Sequence, residues 1–236
     1  FTVIGGPHAT FFPEIISQYD INALCVGEGD DAWPELLTAL ENKTSIDNIP
    51  NIVTKANFSL GVPPVMRERR RALDDLPFLD RELFYSSTRL GRFPMRSFMV
   101  SRGCPYKCTY CFNHKYNLLY KGKGALHSRM SVERVISELK ELKSRYETQF
   151  IKFYDDIFVM KDDEWLDEFS ERYPVEIGLP FHCLMRANLL TEPILLKLKK
   201  AGLASMSMSI ESGNDRVRNE VLKRNMTKET LIEAFD

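Results

Sequence analysis

The chain has 236 residues, 44% of them apolar and 28% charged, with a formal net charge of −1. That is ordinary globular composition with enough apolar residues for a core; so balanced a charge gives no reason to expect nucleic acid or an anionic membrane, and no apolar run approaches the roughly 18 residues of a spanning helix. Five cysteines, three of them between positions 104 and 111, are not the spread, even set of a secreted disulfide framework, and their clustering argues for metal ligation in a reducing compartment, so a cytoplasmic protein is expected.

Val3-Ile4 reads as a buried strand running into Gly5-Gly6, and Phe11, Phe12, Ile15 and Ile16 form an apolar helical face. Ala23-Leu24-Cys25-Val26 reads as a second buried strand, ending in Gly27-Glu28-Gly29. The next helix carries Ala32, Trp33, Leu36, Leu37 and Leu40, with Pro34 in its first turn, where proline is tolerated. This alternation predicts the tail of an open α/β sheet, with glycines at strand ends where such sheets bind ligands. The chain opens on a strand without an initiator Met and stops within a helix predicted from Thr227, so it is expected to be a piece of a longer protein.

Between 43 and 95 the rhythm is lost. Pro50, Pro63, Pro64, Pro77 and Pro94 punctuate a connecting stretch with a short strand at Ile52-Val53-Thr54. Its basic run, Arg67, Arg69, Arg70 and Arg71, is read as a solvated face in preference to a phosphate site.

From 97 the pattern is regular. Ser97 to Ser101 is a strand, followed by the cysteine loop. Ser131 is placed to cap a helix with Val132, Val135, Ile136, Leu139 and Leu142 on one face. Phe150 to Tyr154 is the next strand, closed by Asp155-Asp156, and Asp162 starts a helix with Trp165, Leu166, Phe169 and Tyr173 inward. Phe181 to Met185 is the third strand, closed by Arg186; Thr191-Glu192-Pro193 opens a helix that Gly202 ends. Ala204 to Ile210 is the fourth strand, closed by Glu211-Ser212-Gly213. Four βα units in succession predict a parallel sheet closing toward a barrel, with function at the strand C-terminal ends. In the fourth strand Met206, Met208 and Ile210 alternate with Ser205, Ser207, Ser209 and Glu211. That small, polar face is read as an interior left open for ligand, the alternative being a solvated sheet edge.

Cys104-Pro-Tyr-Lys-Cys108-Thr-Tyr-Cys111 has C-x3-C-x2-C spacing. Three thiolates this close can hold three corners of a [4Fe–4S] cube and leave one iron open for binding. With His114 the set would also serve a Cys3His zinc site, which leaves the polar strand ends unexplained. Cys25 and Cys183 lie in strands and read as packing residues.

The segment from Gly103 to Cys111, including the aromatic Tyr110 before the third cysteine, resembles the signature of the radical SAM superfamily. The resemblance covers 97 to 236. It implies a [4Fe–4S] cluster on Cys104, Cys108 and Cys111 whose open iron chelates S-adenosylmethionine (SAM). An electron from the reduced cluster then cleaves SAM to methionine and a 5′-deoxyadenosyl radical, which abstracts hydrogen from substrate. It further implies Tyr110 against the adenine, Asp155 or Asp156 at the SAM amino group, Arg186 at the methionine carboxylate, and Ser209 and Glu211 at ribose or methionine. The family's usual glycine-glycine-glutamate pattern is absent, and Asp155-Asp156 stands in its place. The partners implied are a small-molecule or peptide substrate and an external electron donor of the flavodoxin or ferredoxin type.

Gly5-Gly6-Pro7-His8, then Val26-Gly27-Glu28-Gly29 and a helix, resembles the last part of the cobalamin-binding domain that precedes the radical SAM barrel in a large subgroup. The linker there is rich in acidic residues and proline, like Leu73-Asp74-Asp75-Leu76-Pro77. The resemblance implies that Gly5 and Gly6 let backbone approach the nucleotide tail of cobalamin; His8 does not match the cobalt-ligand motif. The expected fold is α/β: residues 1–45 the C-terminal part of a Rossmann-like cobalamin-binding domain, 46–95 a linker, and 96–236 the first four βα units of a partial (β/α)6 TIM-like barrel. The expected activity is cobalamin-dependent methyl transfer or a related cyclisation or rearrangement, the alternative being a radical SAM enzyme whose N-terminal domain does not use cobalamin.

Overall fold

In the computed structural model, which describes residues 1–236, the chain divides into two compact units. One comprises Phe1–Arg71 with Lys115–Ala125, the other Ala72–His114 with Leu126–Asp236. No helix is long and apolar enough to cross a membrane.

The first unit is built on a three-stranded sheet of β1 (Val3–Ile4), β2 (Ala23–Cys25) and β3 (Ile52–Thr54). β1 runs parallel to β2, and β3 returns antiparallel to it. Helix Ala32–Glu41 packs Ala32 and Leu36 against Ala23, Cys25 and Ile52 on one face; Ala9, Ile16, Leu24 and Val53 close the other. Ile52 and Val53 are buried on opposite faces, so this strand of the connecting stretch completes the sheet. Buried Asn51 extends the pairing through its side chain, donating to the Val26 carbonyl (2.8 Å) and accepting from the Arg67 amide (2.9 Å).

The basic run does not form the solvated face predicted for it. Arg67 pairs with Glu35 and Arg70 with Asp31. Arg69 is buried over the rings of Tyr116 and Tyr120 and donates to Asn117 Oδ1 at 2.9 Å. These guanidiniums are spent on partners within their own unit.

The second unit holds β4 (Met95–Phe98), β5 (Ser101–Arg102), β6 (Ser128–Arg129), β7 (Phe150–Phe153), β8 (Phe181–Met185) and β9 (Leu203–Met208). β4, β7, β8 and β9 form one parallel sheet in that order, with each strand from β7 onward reached through a helix. It is an α/β fold, as the repeating βα pattern predicts. Helices Val132–Arg145, Glu164–Glu176 and Glu192–Ala201 lie between the strands in sequence. Ser131 caps the first by accepting from the Arg134 amide, and Asp163 caps the second, one residue beyond the predicted start. Gly202 ends the third at φ 108°, where glycine carries no Cβ penalty.

Phe98, Ile151, Phe153, Phe181, Cys183 and Met185 point to the core with the inward faces of these helices. Both Cys25 and Cys183 are buried, as packing residues are. On the other face of the sheet, register sets Ser97 beside Lys152, Lys152 beside His182, and His182 beside Ser205. His182 bridges Ser205 (2.8 Å) and Ser207 (3.1 Å) through its two ring nitrogens, while Met206 and Met208 pack against the core. The serines of β9 thus lie on a polar face shared with β8, at the open edge of the sheet.

Candidate functional site

The sequence-predicted residues of the second unit lie where the parallel strands end. β4 stops at Phe98, although the strand was expected to reach Ser101. The Phe98 carbonyl accepts from Tyr154 on β7's extension, and then the amides of Val100 and Ser101 donate to Asp155 Oδ1 at 3.0 and 2.6 Å. The Ser101 hydroxyl donates to the same oxygen. One carboxylate replaces the ladder partners, freeing the chain to leave the sheet and pair β5 with β6. Asp155 is wholly buried and its Oδ2 has no partner. Burial pushes its carboxyl up to about 7, against the pull of Ser101 and the Val100 amide. Asp156 is exposed, and its charge acts on Cys104 and His127. The pair therefore divides: Asp155 is built into the strand end, and Asp156 stands open beside the cysteine loop.

That loop begins at Gly103, whose φ of 85° suits a residue without Cβ. Cys104 and Cys108 are buried, Cys111 is half-buried, and none of the three is in a disulfide. The Cys111 amide donates to the Cys108 carbonyl at 3.1 Å, turning the chain into helix Phe112–Leu119. Burial pushes the Cys104 thiol up; the Tyr106 amide and Arg186 pull it down, and Asp156 and Cys111 push it up. No three His, Cys, Asp or Glu side chains converge closely enough to hold one metal ion. A tetrahedral zinc needs donors within about 2.3 Å of one point, so Cys104, Cys108, Cys111 and His114 are not arranged as such a site. Three cysteine thiols on one loop, two of them buried, are the donor chemistry that a [4Fe–4S] cluster takes, one thiolate per iron.

Arg186, just past β8, is buried with its guanidinium carbon 3.7 Å from the centre of the Tyr106 ring. It donates Nη1 to Cys108 Sγ at 3.3 Å, Nη2 to the Arg224 carbonyl at 2.7 Å, and Nε to Asn188 Oδ1 at 3.2 Å. An arginine has five N–H donors, so one remains on each Nη for a further acceptor.

Tyr110, half exposed, donates its hydroxyl to Glu211 Oε1 at 2.9 Å, and Ser209 donates to the same oxygen. Arg224 donates Nη1 to the Tyr110 oxygen at 3.0 Å and Nη2 to the Ser209 carbonyl at 2.6 Å. Ser209 holds the Glu211 carboxyl below its usual range, with Tyr110 and Arg224 adding to the effect against some burial. Glu211 adopts φ 65°, which costs a non-glycine residue about 1–2 kcal/mol; the hydrogen bonds on its carboxylate hold it there. Thr109 adds two more ties, its amide to the Leu222 carbonyl (3.2 Å) and its hydroxyl to the Val221 carbonyl (2.8 Å).

Sequence reasoning missed Arg224, Thr109 and His127. Arg224 lies between Lys223 and Asn225, both at positive φ, in an irregular loop that no periodicity announces. His127 has a buried Nε2 without a partner; burial and Arg129 lower its pKa while Asp156 and Asp163 raise it. The structure thus brings Cys104, Cys108, Cys111, Tyr110, Asp156, Arg186, Ser209 and Glu211 to one end of the parallel sheet, with Asp155 beneath. Gly5 and Gly6 belong to the other unit. There Gly5 lines a cleft of about 430 Å³ with Val3, Cys25, Gly29, Asp30, Trp33 and Pro34, and Gly6 sits at φ 86°.

A family model described as the radical SAM superfamily matches residues 98–236, from the end of β4 through the whole of this site. The chain belongs to the radical SAM superfamily. Membership of the radical SAM superfamily implies a [4Fe–4S] cluster and SAM. The chain is 29% identical over 239 residues to an "Uncharacterized methyltransferase" (PH0819) of Pyrococcus horikoshii, covering 99% of this chain and 50% of that protein. Among solved structures, the cobalamin-dependent SAM radical enzyme OxsB, with aqua-cobalamin and SAM bound, matches at TM-score 0.77 and 20% identity. That match covers 98% of this radical SAM chain and 34% of OxsB. The radical SAM methyltransferase TsrM of Kitasatospora setae matches at TM-score 0.71 and 18% identity over 98% of this chain and 47% of its own. At those identities the two structures speak for the fold. The chain spans about half the length of the curated relative, and less of OxsB.

Proposed function

We propose that this chain carries the SAM-cleaving centre of a cobalamin-dependent radical SAM enzyme whose reaction is methyl transfer. The observation that carries the reading is the gathering of Cys104, Cys108, Cys111, Tyr110, Arg186, Ser209 and Glu211 at the C-terminal ends of parallel strands. Residues 96–236 are read as four βα units of a partial (β/α)6 barrel, and the sheet of the first unit as the end of a Rossmann-like cobalamin-binding domain. Cobalamin and methyl transfer are supported by the names of the relatives: a methyltransferase of P. horikoshii, the cobalamin-dependent OxsB and the methyltransferase TsrM.

Cys104, Cys108 and Cys111 would hold a [4Fe–4S] cluster, which supplies the electron that cleaves SAM to methionine and a 5′-deoxyadenosyl radical. The protein's own part is orientation and exclusion of water. Tyr110, fixed between Arg224 and Glu211, presents a ring face at the mouth for adenine. Glu211 and Ser209 offer acceptors to ribose hydroxyls or an ammonium, and Asp156 an open carboxylate for the SAM amino group. The two free N–H groups of Arg186 suit a carboxylate. In the first unit, Gly5 and Gly6 leave room for the cobalamin tail beside the cleft at the ends of β1 and β2. The electron comes from an external donor of flavodoxin or ferredoxin type, and the substrate is a small molecule or peptide.

Anaerobic reconstitution with iron and sulfide tests this. Four irons per chain, a visible band bleached by dithionite and a paramagnetic resonance signal that SAM alters are expected. All should vanish in the Cys104→Ala, Cys108→Ala, Cys111→Ala variant. Zinc without iron, or a cluster indifferent to SAM, would defeat the reading. Corrinoid absorbance retained by the full-length protein tests the cobalamin part separately.

A further inference from the structure

We propose that Arg186 is a positioning residue that, through Cys108, tunes the reduction potential of the cluster. Its fixed guanidinium keeps that potential above the value the cluster would have without a cation there. The inference rests on the reading of Cys104, Cys108 and Cys111 as cluster ligands.

Arg186 is only 5% exposed, and an ionised group held out of water needs compensation. Its contacts are the Cys108 sulfur, the Arg224 carbonyl, the Asn188 amide oxygen and the face of Tyr106. Of these, only the sulfur can carry negative charge. The stack on Tyr106 and the bond to Arg224 keep the guanidinium from swinging away. The cation is therefore built against the cysteine loop, with no carboxylate to absorb its charge.

One-electron reduction makes a thiolate-ligated cluster one charge more negative, and no bond in the protein needs to break. A cation hydrogen-bonded to a ligand sulfur stabilises the reduced state more than the oxidised one. Hydrogen bonds to the sulfurs, net charge and solvent exposure are the levers that set such potentials, and burial leaves this one little screened by salt. A residue that merely bolted the loop shut would alter stability or iron content and leave the potential of the remaining clusters unchanged.

The test is a dithionite titration of the reconstituted chain, followed by paramagnetic resonance in the absence of SAM. Arg186→Gln keeps hydrogen bonding and removes the charge. We expect at least a tenfold loss in the equilibrium constant for reduction, or about 59 mV more negative for a one-electron couple. Arg186→Lys keeps the charge as a point donor that cannot hold both the sulfur and the Arg224 carbonyl, so its midpoint should fall between the two. Equal midpoints at equal iron content overturn the proposal. If the Gln variant takes up no cluster, the Lys variant decides: a more negative midpoint supports the proposal, and an equal or higher one overturns it. An unaltered chain that binds no four-iron cluster overturns the cluster reading and this inference with it, an outcome distinct from equal midpoints on intact clusters.

Discussion

Arg224 Nη1 donates to the hydroxyl oxygen of Tyr110 at 3.0 Å, joining two residues 114 positions apart. The same guanidinium holds the Ser209 carbonyl, and Tyr110 passes its own proton toward Glu211. The cysteine loop and the segment that follows β9 are therefore one hydrogen-bonded body before any cofactor is considered.

Coupling between these two residues is the first expectation. Tyr110→Phe should cost about 0.5–1.5 kcal/mol, the usual worth of a hydrogen bond. Arg224→Met, at a site 6% exposed, should cost about 1.5–3 kcal/mol because it removes a buried guanidinium's charge-assisted hydrogen bonds to Tyr110 and Ser209. In urea denaturation the double variant should lose about 1 kcal/mol less than the sum. Strict additivity would show that the contact carries no energy of its own.

The parallel sheet was legible because its signals are local. Strand alternation, the cap at Ser131 and the left-handed Gly202 each lie within a few residues of what they control. The division of labour between Asp155 and Asp156 was also within reach: Ile151, Phe153 and Asp155 share the buried parity of β7, and Lys152, Tyr154 and Asp156 the open one. Arg224 was not legible, since its partners at 110 and 209 lie on other elements and its loop has no period. The same holds for Arg67, Arg69 and Arg70. A run of four arginines reads as solvated until Glu35, Asp31 and Asn117 are known to face it.

Two glycines of the first unit should respond very differently to alanine. Gly27 has φ 76°, and an added Cβ would meet Tyr120 Oη at 2.1 Å and the Met66 methyl at 2.7 Å. Tyr120 cannot yield freely, because its hydroxyl accepts from the Glu28 amide at 2.7 Å. Gly6 has φ 86° with nothing within 4 Å of the added atom. Gly6→Ala should cost about 1–2 kcal/mol, the backbone penalty alone. Gly27→Ala should exceed it by about 1–3 kcal/mol of overpacking. Thermal melts of the two variants decide, and equal losses would mean that Tyr120 moves aside at little cost.

Arg218 is 1% exposed and donates to the carbonyls of Met226 and Ser212, both at 2.9 Å, while pairing with Asp215. Arg218→Met takes the donor from the Ser212 carbonyl and one of the two on the Met226 carbonyl, which keeps Asn219, and should cost about 2–4 kcal/mol. Arg218→Lys should recover little of this, since one ammonium cannot reach both. Asp215→Asn, at the exposed end of the pair, should cost under about 1 kcal/mol. Full rescue by lysine in urea denaturation would show that charge, and not the fork of donors, holds this segment.

Asp155 sets a pH dependence whose sign follows from its surroundings. Its folded pKa of about 7 lies above the ordinary 3.8. The folded chain therefore keeps a proton that the unfolded chain releases as pH rises from about 4. The stabilisation is complete below that value and is lost as pH climbs through about 7; over the interval it amounts to roughly 4 kcal/mol at most. Asp155→Asn is neutral throughout and keeps an acceptor for the Val100 and Ser101 amides. Urea denaturation of both chains at several pH values from about 4 to 8 should therefore show the unaltered chain losing ground to the variant as pH rises. A difference that stays flat would mean that the amides and hydroxyl on Oδ1 keep Asp155 ionised in the fold, with burial the weaker effect.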